Sequence, residues 1–274
     1  MDLKIKQGLK ELPYDKRDFH FGNIFGDFDI KDLPKEFMVS DIIKIEDQKN
    51  TDYCSAYSST SVREDQEGVD LDPLFTFAMT KHIEGNIGWG ANLRDACLSH
   101  VKYGALKKED TIYTVDDPRE RILDYNSWFL VEKKALDHRA KSFARIFPKF
   151  GKDMFDSLRI TMWQGEKQSI ETGALWRPEW TTPILPLIKH QNGTPHAFKI
   201  GGWKTIGGSP YLICVLSNGV EMGEFGKFYM SREIANTELR YGCFTFIDMP
   251  VHMAKTAHTF PCLKKLIHFI NNLI

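Results

Sequence analysis

The chain has 274 residues, 42% of them hydrophobic and 27% charged, enough to bury a full core as one large domain or as two lobes. Thirty-six basic residues stand against thirty-seven acidic ones, a formal net charge of −1, so no global field draws the chain to nucleic acid or to a membrane surface. Lys4, Lys6, Lys10 and Glu11 interrupt any apolar run near the start, and no stretch approaches the ~18 apolar residues of a membrane span, which predicts a cytoplasmic chain. The five cysteines, at 54, 97, 214, 243 and 262, are odd in number and widely spread. They form no Cys-x-x-Cys pair and no His/Cys cluster, so we expect neither disulfide framework nor metal nor cofactor.

Residues 1–47 read as loop and strand, with Gly22 and Gly26 as breaks and an extended run from Met38 to Ile45. Next comes Asp47-Gln48-Lys49-Asn50-Thr51-Asp52-Tyr53-Cys54-Ser55-Ala56-Tyr57-Ser58, a turn-rich stretch ahead of a small-residue segment. Asn50, Thr51 and Asp52 favour turns and helix N-caps, which places Cys54 in the first turn of a helix, where the dipole favours a thiolate. Gln48, arriving from the preceding turn, could donate its amide to the oxyanion of a tetrahedral intermediate beside the Cys54 N–H. Any one cysteine taken alone is more often a buried packing residue. Gln-x5-Cys-x-Ala-aromatic-Ser nevertheless resembles the active-site motif of the papain family of cysteine peptidases. The family usually carries Cys-Gly-Ser before the nucleophile and Trp after it, where this chain has Thr51, Asp52, Tyr53 and Ser55. Phage and bacterial members often begin with an arm like Pro13 to Phe19. The resemblance implies that this arm crosses to the other lobe, and the short leader predicts no helical inhibitory propeptide.

Downstream, the pattern predicts a helix from Cys54 to a break at Gly68, and a second from about Pro73 to His82. The glycine-rich run 84–92 then leads into a third helix carrying Cys97, which we expect to pack. In the papain family a loop here lines the cleft and pairs with the substrate backbone, which makes Gly88, Gly90 and Ala91 the candidate substrate-binding edge. Such a loop is also plain turn chemistry. Residues 122–146 look helical, 154–158 suggest a short helix and 159–163 look strand-like. Trp163, Trp176 and Trp180 read as core more than as pocket wall.

The second informative stretch is Gln191-Asn192-Gly193-Thr194-Pro195-His196-Ala197-Phe198-Lys199-Ile200-Gly201-Gly202-Trp203. His196 opens a predicted strand beside a Gly/Pro loop, a rigid mount for a general base. Its distance from Cys54 falls within the about 130–150 residues that separate Cys and His in papain and cathepsin sequences, and His-Ala-Phe-x-Ile-x-Gly-Trp resembles the family's histidine block. A third block, from Tyr211 to Met230, resembles the family's Asn-Ser-Trp-Gly segment. Ser217, Gly219, Gly223 and Gly226 fall in register, but the asparagine that orients the imidazole becomes Leu216 and the covering tryptophan becomes Asn218. Either Asn218 reaches the histidine through a local shift, or the site runs as a Cys–His dyad, or activity has been lost.

The resemblance therefore implies a papain-like α+β fold over residues 1–250, with a helical lobe mainly at 48–160 and a β lobe mainly at 1–47 and 160–250. The implied activity is hydrolysis of peptide bonds by Cys54 and His196, with Gln48 at the oxyanion and Asn218 as candidate orienting group. The partner is a peptide or protein substrate, not nucleic acid or membrane. The alternative is a weakened or inactive papain-like module that binds peptide or builds a virion. The leader and the C-terminal block look most like phage-encoded members, which implies host cytoplasm or virion. Residues 251–274 pattern as a tail helix whose apolar face docks on its own body or, second, makes an oligomer or virion contact.

Overall fold

The structure, a computed structural model, describes residues 8–11, 15–16, 18, 20–21, 29–40, 44–111, 131, 133–148, 152–165, 168–188 and 192–248. The expected tail helix at 251–274, and residues 122–130 and 132 of the helix expected over 122–146, lie outside these residues.

Three helices follow the turn-rich stretch: α1 (Cys54–Glu67), α2 (Pro73–Glu84) and α3 (Leu93–Lys102). Local chemistry sets their ends. Gly68 closes α1 with φ 71°, where glycine alone avoids the Cβ penalty, and returns its N–H to Glu64 O. The Asp72 carboxylate caps α2 through the Leu74 N–H at 2.9 Å, with Pro73 in the first turn. Asn92 caps α3 through the Asp95 N–H at 2.8 Å. The expected N-cap of α1 is not formed: the helix starts from Tyr53 without a side-chain cap, and the Asp52 carboxylate is spent instead on the Gly90 N–H.

Beyond them lie β2 (Ser142–Arg145), α4 (Met154–Gln164), β3 (Ile170–Trp176), β4 (Thr194–Ile206), β5 (Ser209–Val215), β6 (Lys227–Met230), α5 (Arg232–Glu238) and β7 (Cys243–Ile247), while β1 is the short Phe37–Met38. The strands form one antiparallel sheet in the order β2-β7-β3-β4-β5-β6, with β1 added to β4. Strand β4 is the spine. Its first half pairs with β3, an irregularity between Ile200 and Gly202 bends it, and its second half pairs with β1.

Two expectations are corrected here. Residues 159–163 belong to α4, because the Asp153 cap and the burial of Phe155, Leu158, Arg159 and Met162 at helical spacing outweigh the β-branched and aromatic side chains that suggested a strand. Residues 142–145, read as helix, are a strand because they pair along β7.

The sheet carries apolar residues on both faces. One face packs Trp176, Phe198, Ile200, Trp203 and Phe228 with Phe155, Leu158 and Ile234 of α4 and α5. The other packs Ala197, Phe244 and Phe246 against Val62 of α1 and against Leu93 and Cys97 of α3. Small residues on α1, including Ser55, Ala56 and Ser59, are fully buried and let the helix approach the strands closely. Lys199 on β4 reaches back to Asp65 at 3.0 Å and to Ser61 O at 3.3 Å, pinning α1 to the sheet. Trp176 and Trp180 lie in the core as expected, whereas Trp163 is 39% exposed. Among the described residues no helix is long and apolar enough to cross a membrane.

Candidate active site

Cys54 opens α1, so its N–H is one of the amides a helix leaves without an intrahelical acceptor. Its Sγ lies at the backbone N–H of Ala197 on β4, the residue after His196. The pinning of α1 to β4 thus brings Cys54 and His196, distant in sequence, to one place. Both side chains are 0% exposed. Burial pushes the Cys54 thiol up to about 12, against the pull of the Ala197 and Ser55 amides. Burial also drives His196 down to about 4, opposed by the nearby Asn218 side chain. As they stand the two groups are a neutral thiol and a neutral imidazole, not the thiolate that the helix dipole alone would favour. The ring of His196 also meets Trp176 edge-on, 6.2 Å between centroids.

Gln48 is held on every side. Its Oε1 accepts from the Ser217 hydroxyl at 2.6 Å, and its Nε2 donates to Thr51 O at 2.8 Å. These two bonds fix which way the carboxamide faces and leave one of its two N–H groups uncommitted. The backbone does the same work: Gln48 N–H donates to Ser217 O at 2.8 Å, Gly219 N–H donates to Glu46 O at 3.0 Å, and Asp47 bridges Asn218. This two-chain contact mounts Gln48 and Asn218 together.

Leu216 turns into the sheet core with 1% exposure. Asn218, two residues on, is the polar side chain set against the imidazole, although its Oδ1 and both ring nitrogens complete no hydrogen bond among the described residues. Asn218 and His196 are therefore brought together without the aligned bond that an oriented imidazole needs.

The three candidates for the substrate edge fare differently. Gly88 lies on an exposed turn, its N–H donating to Asn86 Oδ1 at 3.1 Å. Gly90 is clamped from both ends, with its N–H on Asp52 and its carbonyl on Lys81 Nζ at 2.6 Å. Ala91 does present a backbone edge, and this chain fills it: the Ala91 N–H donates to Gly8 O at 2.8 Å and its carbonyl accepts from Lys10 N–H at 3.1 Å. The backbone groups of Gly90 and Ala91, candidates for the substrate edge, are thus taken by Asp52, Lys81, Gly8 and Lys10.

Sequence reasoning placed Ser217 in register but gave it no part in holding Gln48. It gave Asp52 a turn or N-cap role, left Lys81 unassigned, and read Trp176 as core more than as pocket wall. Only Ser217 carried a signal, its place in register two positions before the turn glycine Gly219. Elsewhere Glu46, Glu64 and Asp70 offer carboxylate oxygens within 4.8 Å of one another, but Lys44 Nζ bonds all three and supplies the positive charge itself. The described cysteines 54, 97, 214 and 243 are free and buried.

No family model matches the sequence, and no curated protein matches it either. Solved structures do match. Xylellain, a cysteine protease from Xylella fastidiosa, superposes with a TM-score of 0.71 at 18% identity, covering 89% of this chain and 97% of that one. Digestive procathepsin L 3 of Tenebrio molitor larval midgut gives 0.61 at 15% identity over 89% and 75% of the two chains. Procathepsin B S9 from Trypanosoma congolense gives 0.60 at 14% over 89% and 86%. The fold is papain-like, α+β, with a helical layer against an antiparallel sheet. The structures it resembles are papain-like cysteine proteases.

Proposed function

We propose that this chain is a cysteine peptidase that hydrolyses peptide bonds by a Cys–His mechanism. The observation that carries the reading is the convergence at the start of α1: the Cys54 thiol at the Ala197 amide, the His196 ring with Asn218 against it, and a Gln48 carboxamide anchored with one N–H to spare. Cys54 Sγ, giving its proton to His196, attacks the scissile carbonyl carbon. The oxygen that gains charge is held by Gln48 Nε2–H and the Cys54 N–H. The C–N bond then breaks as His196 protonates the leaving amine, which leaves a thioester. A water deprotonated by His196 cleaves the thioester, releasing the acid and restoring the thiol. Asn218 keeps the ring in the productive tautomer once aligned.

The compact run from Gly223 to Glu233 supports a phage-encoded member acting in host cytoplasm. The unpaired ring nitrogens of His196 favour a second reading, a papain-like module that binds peptide without cutting it. Incubation with a fluorogenic peptide library decides between them. Cleavage lost in Cys54→Ala supports the peptidase, and no cleavage of any member supports the binding module.

A further inference from the structure

Away from the candidate site, the sheet carries a groove of about 520 Å³ that uses none of Gln48, Cys54, His196 or Asn218. Strand register makes it. Met38, Gly202, Ile213 and Tyr229 stand opposite one another across β1, β4, β5 and β6, so they share one face of the sheet. Gly202 adds no side chain to this row and leaves a trough, lined by Met38, Ile213 and Tyr229. The same alternation brings Glu36 to this face beside β1, Lys204 on β4 and Lys227 on β6.

At the rim stands Phe225, 75% exposed. It holds the first position of a two-residue turn in which Glu224 and Lys227 exchange backbone hydrogen bonds at 2.9 and 3.2 Å. Phe225 (φ 53°) and Gly226 (φ 77°) both take left-handed backbone, as in a primed hairpin turn, whose first position favours Asn, Asp or Gly. A phenylalanine there costs the fold twice, in backbone strain and in apolar surface left in water. Its exposure shows that packing among the described residues offsets neither cost.

The charges on this face balance. Lys204 Nζ lies 3.8 Å from the centroid of the Tyr229 ring and 3.5 Å from Glu224 Oε2, and the Tyr229 hydroxyl donates to Glu224. Those three groups satisfy one another. Glu36 and Lys227 are left, one of each sign, beside the two outermost strands of the four and in no ion pair among the described residues. A partner of one charge sign would leave one of them unmatched. A second copy of the same face matches both, because a two-fold axis turns each feature onto its complement. An axis lying in the face, perpendicular to the line from Glu36 to Lys227, sets each Glu36 against Lys227 of the other copy. It also carries Phe225, which neighbours Lys227, to the Glu36 side of the other copy's trough.

We infer that this face joins two copies of the chain in a symmetric dimer, with Phe225 of each copy seated in the trough of the other and Glu36 paired with Lys227 across the interface. The inference uses no residue of the candidate active site and stands apart from the peptidase reading.

Sedimentation velocity on the full chain over about 1–100 μM is expected to show a monomer–dimer equilibrium. Phe225→Asn should raise the dissociation constant at least about tenfold. At a concentration where both chains are monomeric, its melting temperature should hold or rise, since asparagine suits the turn. Glu36→Lys and Lys227→Glu should each weaken the dimer at least about tenfold, because each sets like charges together at both contacts. An equimolar mixture of those two variants should associate as the wild type does, since lysine then faces glutamate at each contact again. A wild type that stays monomeric throughout overturns the inference. So does a dimer that the three variants leave as tight as before, or a mixture no tighter than its parts. A monomeric wild type in which Phe225→Asn raises KM for a folded protein but not for a short peptide gives the face to the substrate, and the dimer falls.

Discussion

Ser217→Ala probes the site where its geometry is tightest. The Ser217 hydroxyl is the donor to Gln48 Oε1, at 2.6 Å in a nearly buried setting. Removing it leaves a buried acceptor unpaired, a cost of about 1–3 kcal/mol, part of which the carboxamide recovers by turning over. Turning also breaks the Nε2 bond to Thr51 O and swings the spare N–H away from the oxyanion. Losing an oxyanion donor altogether costs about 10²–10³ in kcat, the expectation for Gln48→Ala. Loss of orientation worth about 1.4 kcal/mol gives roughly tenfold for Ser217→Ala, with KM little changed because the ground-state carbonyl uses the donor weakly. The assay is steady-state cleavage of a library-selected peptide. A double-mutant cycle with Gln48→Ala completes it: Ser217→Ala should add almost nothing once Gln48 is gone. Full kcat in Ser217→Ala, or effects that simply add, would refute the claim that Ser217 acts through Gln48.

Asn218→Ala should lower kcat by about tenfold or more while barely changing the melting temperature, measured by cleavage and thermal melts; unchanged turnover would leave a dyad. Cys54 alkylation by iodoacetamide, followed by mass spectrometry, should rise only at high pH, since burial pushes the thiol up to about 12. Glu64 is pushed up to about 7 by burial, so the folded state holds its proton longer than the unfolded chain, whose acid titrates near 4.5. Stability from this group is therefore lost as pH rises from about 4.5 through 7, by about 3 kcal/mol at most, and Glu64→Gln should flatten the fall in melting temperature over that window.

The first three helices were legible because their ends are marked by residues with a local reason to be there: Gly68, Pro73 and the loop before Leu93. Cys54, His196 and Gln48 were proposed as a set from three residue types at three spacings, and none would have stood alone. The errors arose where pairing or packing overrides local preference. Ile160 to Trp163 favour a strand until the Asp153 cap and a buried face make them a helix. Phe143 sits in a strand only because β7 lies beside it. The bridge from Leu9 to Ala91 leaves no pattern at all, since three residues in extended form against one carry no periodicity. A gap-free reading of the third block put leucine at the orienting position, and side-chain direction decides otherwise: Leu216 fills the core and Asn218 meets the ring.

The mounting of these groups bears on how a closed site could work. Gln48, Ser217 and Asn218 are tied by the contact between residues 46–48 and 217–219, and Cys54 is tied to the histidine strand by the pinning of α1 to β4. None of these bonds involves residues 8–10. The resting pair is neutral because both groups are desolvated, the thiol raised and the imidazole lowered by the same cause. Water or a peptide carbonyl entering along the Ala91 edge removes part of that cost for both groups at once, which favours transfer of the Cys54 proton to His196 and brings Asn218 a cation to orient.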